Sequence, residues 1–430
     1  MRPRRMAASG LAATMLITLA ACGGDASAGA PVLNWYVNPD NGGQARIAQE
    51  CSDASNGAYT ISIQRLPRDA PGQREQLVRR LAANDDSIDL MSLDPPFIPE
   101  FAEAGYLAPV PEDVATEVTD GVVDSALKGS TWKDELVTLP FWANTQLLWF
   151  RKSVAEQAGL DMEQPVTWDQ IITAAEDTGK TVAVQGTRAE SMTVWVNALI
   201  ASAGGEILKN PDAPADEYQL GLDSEQGREA ATIMRKIADT GVGGAQLSTS
   251  TEDTNASLFE SDNAGFMVNW PFVWARGEGA VEAGSLDQSA LDDYGWAQYP
   301  ETVEGEPSKP PYGGINLGVS ALSNNVDLAY EAGRCIVGED KQKAYMLSDG
   351  NPAAKEAVYD DPEIQDQYPM ADTIRESLQN AAPRPLTPYY NEISTGIQNT
   401  WQPPAAVSPD TTPPDSQKLI TEVLRGEALL

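Results

Sequence analysis

Carboxylates, amides and aromatic rings recur in this chain at the ends of apolar runs, and no histidine accompanies them. Asp40 and Asn41 stand in Asn38-Pro39-Asp40-Asn41-Gly42-Gly43, directly after Val32-Leu33-Asn34-Trp35-Tyr36-Val37. Asp94 closes the run Ile88 to Leu93, and Asn144 interrupts Phe141-Trp142-Ala143-Asn144-Thr145-Gln146-Leu147. Trp270 and Phe272 flank Pro271, Gly314 lies in Gly313-Gly314-Ile315-Asn316-Leu317, and Arg384 begins Arg384-Pro385-Leu386-Thr387-Pro388. Carboxylates, amides and a guanidinium make forked hydrogen bonds to neighbouring hydroxyls. Aromatic faces cover weakly apolar C–H surfaces, and a glycine lets backbone come close to a ligand. Rings of hydroxyls over C–H faces suit such a set. Each residue also has a plainer use. Asp94 can cap a turn, Trp270 and Phe272 can be core aromatics, and Asn144 can serve the backbone of a crossing segment. Arg384 can pair with a surface carboxylate, and Asp40 and Asn41 can be turn residues.

The absent residue types exclude much chemistry. Without histidine there is no Ser-His-Asp or Cys-His nucleophile, no HExxH zinc site and no imidazole base. No calcium-binding Asp-x-Asp-x-Asp-Gly loop, Walker loop or GxGxxG occurs, so no cofactor and no metal are expected. A carboxylate pair of the glycoside-hydrolase kind is the enzymatic alternative that 63 acidic residues leave open.

The elements that must position these residues alternate in type. Val32–Val37 reads as a strand and Gln44 to about Ser55 as a helix. Tyr59–Arg65 reads as a second strand, and Gly72–Ala83 as an amphipathic helix with Leu77 and Leu81 on one face. Ile88–Leu93 is a third strand, and this β-α-β-α-β order predicts a parallel α/β lobe. Thr167-Trp168-Asp169-Gln170 fits a capping box. Asp223 is expected to cap a further helix that stops at Gly241. Trp195 sits on a helical apolar pattern and reads as core. Proline clusters near 307–311, 383–388 and 403–414 predict loops.

The N-terminus reads as a lipoprotein signal over 1–21: basic Arg2, Arg4 and Arg5, an apolar stretch too short to span a bilayer, then Leu19-Ala20-Ala21-Cys22. Cys22 is the expected lipidation site, residues 22–30 a flexible tether, and the outer face of the membrane the expected location. A net charge of −34 makes nucleic acid a poor partner. With Cys22 carrying lipid, Cys51 and Cys335 remain as an even pair in an oxidising compartment, which predicts a disulfide. Two buried free thiols are the alternative.

Several blocks resemble the sugar-binding proteins of ABC importers. They are Ile88–Asp94 with Phe101–Leu107, Leu139–Lys152, Thr167-Trp168-Asp169, Asn269–Trp274 and Gly313–Leu317, and they keep family order across nearly the whole chain. Asn144–Trp149, Val268–Phe272, Tyr368-Pro369-Met370 and Arg384–Pro388, with the spacing of the two cysteines, are similar to the actinobacterial branch that captures trehalose. The resemblance implies a periplasmic-binding-protein-like II fold: two α/β lobes, a hinge and an interlobe cleft. Lobe 1 is expected at 31–142 and 299–334, and lobe 2 at 143–298 and 335–430. It further implies a monomer that binds trehalose or a related disaccharide and delivers it to a membrane permease without breaking a bond. Asp40, Asn41, Asp94, Asn144, Trp270, Phe272, Gly314 and Arg384 are then the ligand-binding residues.

Overall fold

The computed structural model describes residues 29–430. The expected signal, the lipidation site Cys22 and most of the tether lie outside the described residues. Eleven strands follow in chain order: β1 (Val32–Val37), β2 (Thr60–Arg65), β3 (Leu90–Leu93), β4 (Thr131–Trp132), β5 (Glu135–Leu136), β6 (Leu139–Thr145), β7 (Leu147–Arg151), β8 (Thr181–Ala183), β9 (Ala264–Asn269), β10 (Tyr294–Ala297) and β11 (Tyr312–Val319). They build two main sheets, ordered β2-β1-β3-β11-β6 and β10-β7-β9-β8, with β4 and β5 as a small hairpin.

The first sheet begins as the alternation predicts. β1 pairs in parallel with β2 and β3, and helices Gly43–Ala54 and Ala70–Ala82 make the crossovers. Leu77 and Leu81 bury the apolar stripe of the second helix, while Asp69 accepts from the Gly72 N–H and Pro71 occupies the first turn. β11 then enters between β3 and β6, antiparallel to both. In the second sheet β8 and β9 are parallel, and β7 runs antiparallel to β9 and β10. Trp195 lies in the large core on one face of this sheet, tilted against Trp168.

Local signals held where they were specific. Thr167 and Gln170 form the capping box: the Gln170 N–H donates to Thr167 Oγ1 at 3.2 Å, and the Thr167 N–H to Gln170 Oε1 at 2.8 Å. Asp223 does not cap the next helix. Ser224 does so by accepting from the Gly227 N–H, and Asp223 instead pairs with Arg228 at 2.7 Å. Gly241 ends that helix in the left-handed region, as expected. Pro413 and Pro414 lie in the first turn of helix Thr412–Leu424, where a missing N–H costs nothing, rather than in a loop.

The contacts near the expected lobe boundaries are these. Ala143, Asn144 and Thr145 pair with β11, so the first crossing falls at the buried Gln146, between β6 and β7. Residues 335–380, expected with lobe 2, touch both lobes: Met346, Tyr359, Ile374 and Leu378 share one apolar cluster with Trp149, Phe259, Met267 and Tyr294 and with Val123, Ala126 and Ala143. Helix Glu339–Asp349 lies on helix Gly43–Ala54, and helix Ala371–Asn380 lies on β6 and helix Asp124–Ser130. The Ala143 N–H also donates to the Pro352 carbonyl. The physical reason is covalent as well as apolar. Cys51 and Cys335 are joined, 284 residues apart with Cα atoms at 5.8 Å, which pins the start of this segment to the first helix.

Three crossings connect the lobes and run side by side. Thr145 of β6 pairs with Tyr312 of β11. On the other side the Tyr312 N–H donates to the Ala382 carbonyl, and the Ala382 N–H to the Pro310 carbonyl. Among the described residues no helix is long and apolar enough to cross a membrane.

Replacing both Cys51 and Cys335 by serine is expected to cost about 2–5 kcal/mol. The melting temperature should then fall by roughly 3–5 °C for a chain of this size, measured by differential scanning calorimetry. An unchanged melting temperature would show that the loop is closed as firmly by packing alone.

Candidate functional site

Both sheets aim strand ends at the three-stranded seam. From the first come the C-terminal ends of β1, β3 and β6 and the N-terminal end of β11. From the second come the C-terminal ends of β8, β9 and β10 and the start of β7, as the pairing directions require. Ligands of α/β sheets bind beyond such ends, because loops there converge without disturbing the sheet.

Asp94 and Arg384 meet directly. Arg384 Nη2 donates to Asp94 Oδ1 at 2.6 Å and Nη1 to Oδ2 at 3.2 Å, a two-toothed fork. The pair is not on the surface: the Arg384 side chain is 4% exposed and that of Asp94 14%. Nor does the Asp94 side chain cap the short helical turn Pro95–Phe97 that follows it. A second carboxylate completes the arrangement, with Arg384 Nη1 donating to Glu190 Oε1 at 2.7 Å. Burial opposes charge on Arg384, but Asp94, Tyr390 and Glu190 together hold the guanidinium protonated. Burial pushes the Asp94 carboxyl upward and Arg384 pulls it back.

A second group gathers at the seam. Trp270, just past β9, sets its ring edge on Gly313, where an added Cβ would stand 3.1 Å from the ring. Asn269 fixes this turn: its Oδ1 accepts from the Trp270 N–H at 3.0 Å, and its Nδ2 donates to the Glu252 carbonyl at 3.0 Å. Asn144 lies opposite Gly313 in the ladder, and its Oδ1 accepts from the Thr145 N–H. Gly314 has a different use from the one expected. At φ +116° its added Cβ would fall 2.2 Å from the Trp142 carbonyl oxygen, so the close approach it permits is strand to strand.

A third group lies beyond β1. Asp40 accepts from the N–H groups of Gly42 and Gln44, so it holds the turn into the first helix. The Asn41 N–H donates to Asp349 Oδ1 at 2.8 Å. The next residue, Gly350, packs against the backbone of Phe272 from lobe 2. Tyr345 stacks on Phe141 and is held protonated by burial and by the negative charge of Asp40 and Asp349.

Sequence reasoning missed Glu190, Tyr312, Trp142, Tyr345 and Glu252. Asn38 Oδ1, Trp142 Nε1, Tyr312 Oη and Tyr345 Oη are buried with no hydrogen-bond partner among the described residues. The Glu252 carboxyl is pushed up chiefly by burial, with a smaller pull back from Trp270. No local motif marks these residues, which only the tertiary fold collects. Trp142 alone had a signal, since it sits two residues before Asn144.

The chain matches the family described as bacterial extracellular solute-binding protein over residues 55–343. It is 22% identical over 364 residues to a probable ABC transporter-binding protein of Deinococcus radiodurans, covering 80% of this chain and 82% of that one. It is 22% identical over 378 residues to the diacetylchitobiose binding protein DasA of Streptomyces coelicolor, covering 83% of each. In structure it is similar to maltose-bound MalE3 of T. maritima, with a TM-score of 0.78 at 23% identity, over 93% of this chain and 100% of that one. The chain belongs to the bacterial extracellular solute-binding proteins: it is a binding protein and not an enzyme, and it works outside the cytoplasm.

Arg384→Met leaves two carboxylates buried without their cation and is expected to cost about 3–5 kcal/mol in denaturant unfolding at pH 7. Burial raises the Asp94 carboxyl above its unfolded value and Arg384 pulls it back, so without Arg384 it gives stability at low pH and loses it as pH rises through the folded value. The deficit relative to the parent protein should therefore shrink at pH 5. An equal deficit at both pH values would mean that the carboxylates are hydrated.

Proposed function

We propose that this protein is the sugar receptor of an ABC importer, taking trehalose or a related disaccharide between its lobes and handing it to a membrane permease. The observation that carries the reading is the meeting at one seam of Asp94, Arg384 and Trp270 from separate elements. Buried Tyr312, close enough to feel the charges of Asp94 and Arg384, and buried Asn38 and Trp142 groups on or just past β1 and β6 have hydrogen-bonding capacity to spare. Hydroxyl-rich rings supply both partners for those groups and C–H faces for the indole. Asp40, Asn41, Asn144, Phe272 and Gly314 belong to the proposal as the frame of the cleft. Two relatives in the comparison carry names that refer to diacetylchitobiose and to ABC transport, and the similar structure holds maltose. The trehalose preference rests on the resemblance of Asn144–Trp149, Val268–Phe272 and Arg384–Pro388.

The reading includes a monomer tethered by lipid at Cys22. Lobe closure over the sugar is favoured by as much as the closed form binds it better.

Calorimetric titration with trehalose, maltose, sucrose and glucose is the deciding measurement. Trehalose is expected to bind tightly and be recovered intact, and Trp270→Ala to weaken it at least tenfold, about 1.4 kcal/mol or more. Tight binding of another sugar would replace the specificity, and no binding of any sugar would reject the reading.

The anchor has its own test. In an actinobacterial host the parent chain should partition into detergent and incorporate labelled fatty acid, while Cys22→Ser should do neither. Labelling that persists in the variant would move the anchor elsewhere.

A further inference from the structure

Glu190 is the first residue of helix Glu190–Ser202, yet it forms no cap there. Its carboxylate turns to a distant part of the chain. Oε1 accepts from Arg384 Nη1 at 2.7 Å and from the Tyr390 hydroxyl, and Oε2 accepts from Ser394 Oγ at 2.8 Å. Ser394 is in turn bound to Thr193 of the same helix through hydroxyls 2.8 Å apart. Helix Tyr390–Trp401 packs on helix Glu190–Ser202, so Glu190 is fixed within lobe 2. Asp94 ends β3 of lobe 1. Arg384 lies two residues past Ala382, on the third crossing, and Nη1 is shared between the carboxylates of the two lobes.

We propose that Glu190 is a positioning residue of the cleft: without touching the ligand, it holds the Arg384 guanidinium against Asp94 and so sets the affinity. An arginine side chain carries several soft torsions, and Asp94 alone fixes one edge of the fork. Glu190 supplies the second anchor from the opposite lobe. Its oxygens already accept three protein donors, which leaves it little capacity for a sugar hydroxyl. The shared guanidinium also ties the crossing to both lobes at once, so a ligand seated beside it meets one fixed donor geometry in place of an ensemble.

The affinity part of this inference rests on the sugar-receptor reading, so the test has one arm with sugar and one without. In the first, a double-mutant cycle compares Glu190→Gln, Arg384→Met and the pair by calorimetric titration with the sugar that binds the parent protein. Glu190→Gln keeps the shape of the side chain: its amide oxygen in the Oε1 position still accepts from Tyr390, its amide nitrogen can donate to the Ser394 hydroxyl, and the charge that holds Arg384 is lost. This substitution is expected to weaken binding about tenfold in the parent and less than about twofold in the Arg384→Met background. An equal loss in both backgrounds would mean that Glu190 acts on the fold at large and would overturn the proposal. In the second arm the ligand-free protein, labelled with nitrogen-15 in arginine, is observed at the guanidinium groups. The Arg384 Nη signals, assigned from their loss in Arg384→Lys, should be sharp in the parent through hindered rotation and broaden in Glu190→Gln. Unchanged Arg384 signals would overturn the proposal whether or not any sugar binds. Failure of the sugar alone would leave this second result standing.

Discussion

Two sheets that share a chain three times must pass three segments of backbone through a region belonging to neither core. Each segment carries N–H and C=O groups that need partners there. The chain meets this constraint by running the segments side by side. Thr145 pairs with Tyr312, and Tyr312 and Pro310 bond to Ala382, so the crossings satisfy one another. A narrow ladder of this kind bends more easily than a packed core, which is what relative motion of two lobes needs. It also fixes where the chemistry goes. Residues beside the seam can meet both lobes: Gly313 of β11 lies under the Trp270 ring, and Arg384 pairs with both Asp94 and Glu190.

The seam explains why a charged residue can be buried there. An isolated guanidinium inside the protein would cost far more than the fold's margin of stability, so Arg384 is tenable only with carboxylates in place. Asp94 comes from a strand end of lobe 1 and Glu190 from a helix start of lobe 2. The disulfide has a related consequence. By tying Cys335 to Cys51 it commits the chain after β11 to return over lobe 1. Helices Glu339–Asp349 and Ala371–Asn380 then pack there, and the chain crosses a third time, carrying Arg384 with it.

The opening β-α-β-α-β order, the capping box at Thr167 and the core position of Trp195 were legible because each depends on neighbours within a few residues. The site was legible in part for the same reason. Asp94 and Trp270 announce themselves by closing apolar strands, and Arg384 by standing in a proline-rich loop. What they touch could not be read. Asp94 and Arg384 are 290 residues apart and Arg384 and Glu190 are 194 apart, and no local pattern encodes such pairings. The packing of residues 335–380 was equally out of reach, because it is decided by surfaces formed up to almost 300 residues earlier, such as the first helix that Cys51 ties to Cys335.

Gly313 and Gly314 show how finely the seam is shared. Neighbours in β11, they are both glycine for steric reasons, but the obstacles come from opposite lobes. At Gly314 the obstacle is the Trp142 carbonyl of the adjacent strand in lobe 1, and the positive φ leaves other residues strained. At Gly313 it is the indole of Trp270, which reaches over from lobe 2. A side chain at the first would disturb the sheet. One at the second would push away the aromatic ring on which a sugar face is proposed to lie, leaving the sheet intact. Two adjacent residues of one type therefore separate the demands of folding from those of binding, and only the contacts made across the chain tell them apart.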